Sequence, residues 1–147
     1  MVRSRNGFTL IETLIVTVIC GLIVLIGFPK VSQGLARNDL RGARTTVVNA
    51  TAKARTLAAQ RNTRAWLHFD GDVMWVTAGP RTMAGLGTVD TVGGMQDLGE
   101  LYKAGLAADV DSLGFDPRGF GSPATVVLSR GGYTETITVD ALGRVTK

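Results

Sequence analysis

A chain of 147 residues with one cysteine and one histidine can form no intrachain disulfide and no zinc site of the usual Cys/His kind, which takes four such ligands. Once the apolar N-terminal run is set aside, about 120 residues remain, enough for one small domain and too few for two ordinary ones. The formal net charge of +4 is spread unevenly along the chain, which bears on how its parts meet other molecules.

The chain opens on Met1 to Gly7, a short basic stretch with Arg3 and Arg5 and a small last residue. Gly7 to Phe28 follows, reading GFTLIETLIVTVICGLIVLIGF, apolar almost throughout and ended by Pro29-Lys30. As a helix rising about 1.5 Å per residue, this run spans roughly 30 Å, one bilayer core. A secretory signal carries its small-residue cleavage site after the apolar segment and loses that segment on cutting. Here the small residue comes first, so a cut after Gly7 leaves the apolar run on the mature chain. Glu12 is the one carboxylate in the run. A charge inside a membrane segment is costly and marks a function with a partner. A chain beginning at Phe8 would place its α-amine one helical turn from Glu12, and the helix dipole favours an anion there. The same pair formed between neighbouring chains would set their register.

The hexad Gly7-Phe8-Thr9-Leu10-Ile11-Glu12 resembles the prepilin signature of type IV pilins and type II secretion pseudopilins. The resemblance implies that a prepilin peptidase cuts between Gly7 and Phe8, that Phe8 is N-methylated, and that Glu12 serves assembly by pairing with the Phe8 amine of an adjacent subunit. It also implies a helix bend at Pro29, a place in the bacterial inner membrane, and other pilins or pseudopilins as partners alongside the membrane lipid. Cationic flanks usually stay cytoplasmic, and Lys30, Arg37, Arg41 and Arg44 outnumber Arg3 and Arg5. The resemblance sets the opposite orientation, with the leader in the cytoplasm and the domain in the periplasm. Cys20 reads as a small apolar residue facing lipid or a neighbouring helix. Gly21 and Gly27 loosen the helix or admit another one closely.

From Val31 to about Arg61 the pattern is helical. Ala36, Leu40, Ala43, Val47, Ala50, Ala54 and Leu57 recur at alternating steps of four and three, one apolar stripe with Arg37, Arg41 and Arg44 on another face. The expectation is a membrane helix continuing into an amphipathic half that lies on a sheet; a coiled coil fits the stripe less well. Between Lys30 and Arg64 the only acid is Asp39, whereas beyond Arg64 acids outnumber bases. Copies of the chain would then attract one another end to side, or the basic face is simply solvated.

After Arg64 the period changes to that of strands. Ala65 to Phe69 and Val73 to Ala78 flank Asp70-Gly71-Asp72, a hairpin signal. Trp66 and Trp75 are expected on the sheet face or in the core, and His68 at the surface or the core's edge. Gly79 to Gly99 reads as a long irregular excursion with a short strand around Thr88 to Val92. Its glycines, Gly85-Leu86-Gly87 and Gly93-Gly94, lack the spacing of a phosphate loop. Gly99 to Ala108 holds a short strand or a helical turn. Strands then follow at Leu113 to Phe115, Thr125 to Ser129, Thr134 to Val139 and Arg144 to Thr146, separated by turns at Asp116-Pro117-Arg118-Gly119, Arg130-Gly131-Gly132 and Asp140 to Gly143.

The series SLGFDPRG, TVVLSRGG and TITVDALGRV is similar to the soluble domain of the GspH/FimT group of minor pilin-like proteins. That resemblance implies an α+β fold: a long N-terminal helix packed against a small antiparallel β domain built as two sheets. The organisation expected is a leader over residues 1–7, a membrane helix over 8–29, an amphipathic helix over 30–64 and a β-rich domain over 65–147. No catalytic residues, metal or cofactor are expected. Ser122 and Ser129 have only His68 as a candidate base, and Asp70 and Asp72 are explained by a turn. The function implied is that of a minor pilin or pseudopilin of a type II secretion system or type IV pilus. The alternative is a DNA-binding minor pilin of the FimT kind. Such proteins carry a basic Gly-Arg-any-Arg turn, where this chain has Gly143-Arg144-Val145-Thr146-Lys147, with threonine in place of the second arginine. Arg130, Arg144 and Lys147 are the candidate DNA contacts, a number of cations that gives only weak, salt-sensitive binding.

Overall fold

The computed structural model describes residues 8–79 and 89–146. Helix α1, Leu10–Arg61, starts at a capping arrangement. The Glu12 amide donates to Thr9 Oγ1 at 3.3 Å, and Thr9 and Glu12 have the spacing of a capping box. The helix ends just as definitely: Asn62 takes a left-handed φ of 50°, and the amides of Asn62 and Thr63 return to the carbonyls of Ala59 and Ala58. That pairing closes the last turn in the Schellman manner. Proline at position 29 lies within the helix.

The chain divides after Leu35. The first unit is a bare apolar helix, long and apolar enough to cross a membrane. Among its described residues none is buried, and Leu10 is 84% exposed. Two of its hydroxyls are satisfied locally: those of Thr13 and Thr17 donate to the carbonyls four residues back, at 3.2 and 2.8 Å, an arrangement that suits apolar surroundings.

The second unit begins at Ala36. Every residue of the expected stripe, from Ala36 to Leu57, is buried. Thr51 and Ala58 join it; Thr51 is tolerated because its hydroxyl donates to the Val47 carbonyl at 2.9 Å. The stripe packs on two antiparallel sheets. The first has the order β3-β2-β1-β6, with β4 also pairing β2; the strands are β1 (Ala65–Asp70), β2 (Val73–Ala78), β3 (Asp90–Thr91), β4 (Gln96–Asp97) and β6 (Ser112–Phe115). The second has the order β5-β7-β8-β9, from β5 (Gly105–Ala108), β7 (Ala124–Arg130), β8 (Tyr133–Val139) and β9 (Val145–Thr146). Helix α2, Leu98–Tyr102, joins β4 to β5. The core between helix and sheets is filled by Leu40, Val47, Leu67, Met74, Leu98, Leu113, Phe115, Val126, Leu128 and Ile137.

Two hairpins fix register. Asp70 faces Val73 across Gly71, whose φ is +55°. Arg130 faces Tyr133 across Gly131 and Gly132, both at positive φ, the two-residue turn that matches strand twist. Of the excursion expected over Gly79 to Gly99, residues 89–99, which are described, are more ordered than their composition implies. They give the two edge strands β3 and β4; of the strand expected around Thr88 to Val92, β3 covers Asp90–Thr91, and Thr88 lies outside the described residues. Short edge strands carry too little period for sequence to reveal. The stretch Gly99 to Ala108 contains both alternatives, the end of α2 and then β5. Gly85-Leu86-Gly87 lies outside the described residues.

Candidate functional site: the apolar helix and the charged flanks of the body

Gly7 lies outside the described residues. Phe8 is 82% exposed, and Glu12 sits exposed in the first turn of α1 with its amide committed to Thr9. The cap uses only the backbone amide of Glu12 and makes no call on its exposed side chain. Cys20 is a free, exposed thiol. A Cβ added at Gly21 or Gly27 would meet nothing within 4 Å.

The basic face of α1 is less free than its sequence implies. Arg61 pairs with Asp90 at 3.2 Å and donates to the Gly79 carbonyl at 3.4 Å. Arg44 lies 3.9 Å from Glu135, and Arg37 stacks on the Tyr133 ring at 4.8 Å. The end-to-side attraction expected from a basic helix and an acidic remainder is thus partly satisfied within one chain, because folding brings the two halves together.

Of the candidate DNA contacts that are described, Arg130 and Arg144 lie at opposite ends of β8. The Arg130 guanidinium donates to the Asp39 carboxylate and to the Tyr102 carbonyl. Arg130 thus joins β7, α1 and the end of α2, and its charge is answered by the only acid of the basic stretch. Arg144 is exposed at the turn into β9, and Lys147 lies outside the described residues. Asp39, singled out in the sequence only as the lone acid of the basic stretch, forms the rest of this clamp with Tyr102, Thr46 and Gly42, which the sequence did not single out. The Tyr102 hydroxyl meets Thr46 Oγ1 at 3.0 Å, and a Cβ at Gly42 would lie 2.6 Å from the Tyr102 ring. An isolated glycine inside a strong helical pattern is the one sequence signal there, and it was not read.

On the outer face of the first sheet, His68 stacks on Trp75 with ring centroids 5.2 Å apart. Its Nε2 lies 2.8 Å from Thr77 Oγ1, and burial pulls its pKa below the ordinary value of 6.5. Trp66 and Trp75 are half-buried on that face. Among the described residues no three His, Cys, Asp or Glu side chains are grouped to hold a metal ion. Asp72 ties the first hairpin to β5, accepting from the Leu106 amide at 2.8 Å. Ser122 and Ser129 are exposed, in a loop and on β7, and the polar contact of His68 is with Thr77.

Residues 2–28 match the prokaryotic N-terminal methylation motif, and residues 43–143 match the type II transport protein GspH. No curated protein is significantly similar to the chain in sequence. Among solved structures, the type IV minor pilin FimU of Pseudomonas aeruginosa PAO1 superposes in two crystal forms. In space group P21 the TM-score is 0.58 at 14% identity, covering 75% of this chain and 88% of that one. In P65 it is 0.56 at 13%, covering 73% and 90%. At such identity the likeness is one of fold: the long helix with its antiparallel β domain.

Proposed function

Because this chain belongs to the GspH family and carries the N-terminal methylation motif, we propose that it is a minor pilin or pseudopilin that helps to start or cap a filament in the inner membrane. The observation that carries the reading is a division of labour. The core is complete from Ala36 onward, while the apolar helix before it is bare and holds a single carboxylate at Glu12. A helix that contributes nothing to its own fold has its apolar surface free for lipid and for sister helices.

On this reading prepilin peptidase cuts after Gly7 and the new Phe8 amine is methylated. Inserted helices pack laterally, and Glu12 is neutralised by the Phe8 amine of the neighbour. Burying an unpaired carboxylate among apolar helices costs several kcal/mol, so a subunit enters the bundle only where that amine answers it. Pro29 supplies the bend by which the helix fits its neighbours, and the body from Ala36 onward stands on the periplasmic side. The chain is a substrate of the peptidase and a building unit. Secretion and pilus machines use the same N-terminal chemistry, and the reading holds for either host.

The test is Glu12→Ala in the native membrane. The mutant is expected to insert as well as the parent and to be incorporated into the filament complex at least about tenfold less, the effect of losing roughly 1.4 kcal/mol or more of pairing. Undiminished incorporation would remove Glu12 from the mechanism.

A further inference from the structure

We propose that Arg37 and Arg41 bind the phosphate of an anionic lipid headgroup, so that the body rests on the surface of the membrane holding the apolar helix. The inference rests on the membrane insertion of that helix under the reading above, and not on its packing with sister helices.

Packing of apolar helices leaves a charge excess without a use. Beyond the apolar run, Lys30, Arg37, Arg41 and Arg44 outnumber the leader's Arg3 and Arg5, against the ordinary preference for cations on the cytoplasmic side. Asp39 and Glu135 are the only acids on β8 and on α1 from Ala36 onward. Each has its own cation: Asp39 takes Arg130, and Glu135 lies 3.9 Å from Arg44. Among the described residues no ion pair includes Arg37 or Arg41. Both are exposed, and their spacing of four along α1 sets them on one face of the helix.

Arg37 and Arg41 open on a cleft of about 220 Å³, bounded also by Leu40 of α1 and by Tyr133, Thr134 and Glu135 of β8. The Arg37 guanidinium stacks over the Tyr133 ring, its Cζ 4.8 Å from the centroid. The stack takes one face of the guanidinium and leaves the in-plane N–H donors, which match the oxygens of a phosphate. The cleft lies at the end of the body where the chain leaves for the apolar run. A Cβ at Gly131 would stand 3.6 Å from that of Ala36, so the turn ahead of Tyr133 lies beside the body's first residue. Arg37 is nine residues on from Phe28, a tether of about 14 Å as helix. Insertion of the run therefore offers the site lipid phosphates at an effective concentration that a free anion does not reach. Two cations give duplex DNA only a weak hold, and no such tether presents it.

The experiment uses the full-length chain with Cys20→Ser and Thr134→Cys, the new thiol carrying an environment-sensitive fluorophore at the rim of the cleft. It is reconstituted in vesicles of phosphatidylcholine, alone or mixed with phosphatidylglycerol, doped with a lipid that bears a nitroxide quencher on its headgroup. Phosphatidylglycerol is expected to deepen the quenching. The part that depends on it should fall about tenfold in Arg37→Gln with Arg41→Gln and survive in Arg37→Lys with Arg41→Lys, which keeps both charges. A melting temperature equal to the parent's shows that each altered body is folded. Quenching indifferent to phosphatidylglycerol or to the glutamine pair, its removal by inorganic phosphate at constant ionic strength, or Arg37- and Arg41-dependent retention of duplex DNA with no lipid effect would each overturn the proposal. Alkaline extraction of the same vesicles separates the two readings. An inserted chain without lipid-dependent quenching sinks this contact alone, whereas a chain that washes off sinks the membrane reading beneath it.

Discussion

Arg130 shows how a single side chain changes meaning once the chain is folded. In the sequence it is a cation beside a glycine turn; in the structure its guanidinium is shared between Asp39 and the Tyr102 carbonyl. Removing one partner of a half-buried charged pair strands the other, at about 1–3 kcal/mol. We therefore expect Asp39→Ala to lower unfolding free energy by about that amount in denaturant titrations. Asp39→Asn and Arg130→Gln should be non-additive in a double-mutant cycle; additive effects would deny the clamp. His68 gives a second residue-scale prediction. Burial places its folded pKa below 6.5, so the unfolded chain takes up the proton first. Its contribution is present above pH 6.5 and is lost as pH falls through the folded value. The melting temperature should fall between pH 7.5 and 5.5, and His68→Gln should flatten that fall.

At the scale of elements, the soluble half of α1 is the piece most legible in the sequence. Its stripe from Ala36 to Leu57 is an uninterrupted helical pattern, and each member is buried. Leu40 is almost fully buried, and Leu40→Ala should cost about 2–5 kcal/mol, measured by chemical denaturation in detergent. A loss well under 1 kcal/mol would mean that the helix does not seat on the sheets as described. The paired strands β1–β2 and β7–β8 were equally plain, since each alternates around a glycine turn. What the sequence concealed depends on contacts distant along the chain. β3 and β4 have two residues each and exist because β2 offers them an edge. α2 is short and is held by Tyr102 against Gly42, two residues sixty positions apart at about that order of loop closure. Of the site, the GFTLIE hexad was fully readable because its residues are local. The ion pairs of Arg44, Arg61 and Arg130 were not, because each joins α1 or its end to a residue of the β region.

The whole molecule joins two unlike parts: an apolar helix whose described residues are unburied, and a body from Ala36 onward with its own core. Membership of the GspH family and the FimU-like fold agree with that construction, and it makes sense of a lone carboxylate near the start of the helix. The N-terminus of the native protein gives the most direct test of filament membership. Intact mass and terminal sequencing of the chain purified from its own membrane should find it beginning at Phe8, heavier than the bare polypeptide by one methyl group, with the apolar helix retained. A chain recovered with Met1 to Gly7 still attached, from cells whose prepilin peptidase is active, would contradict it.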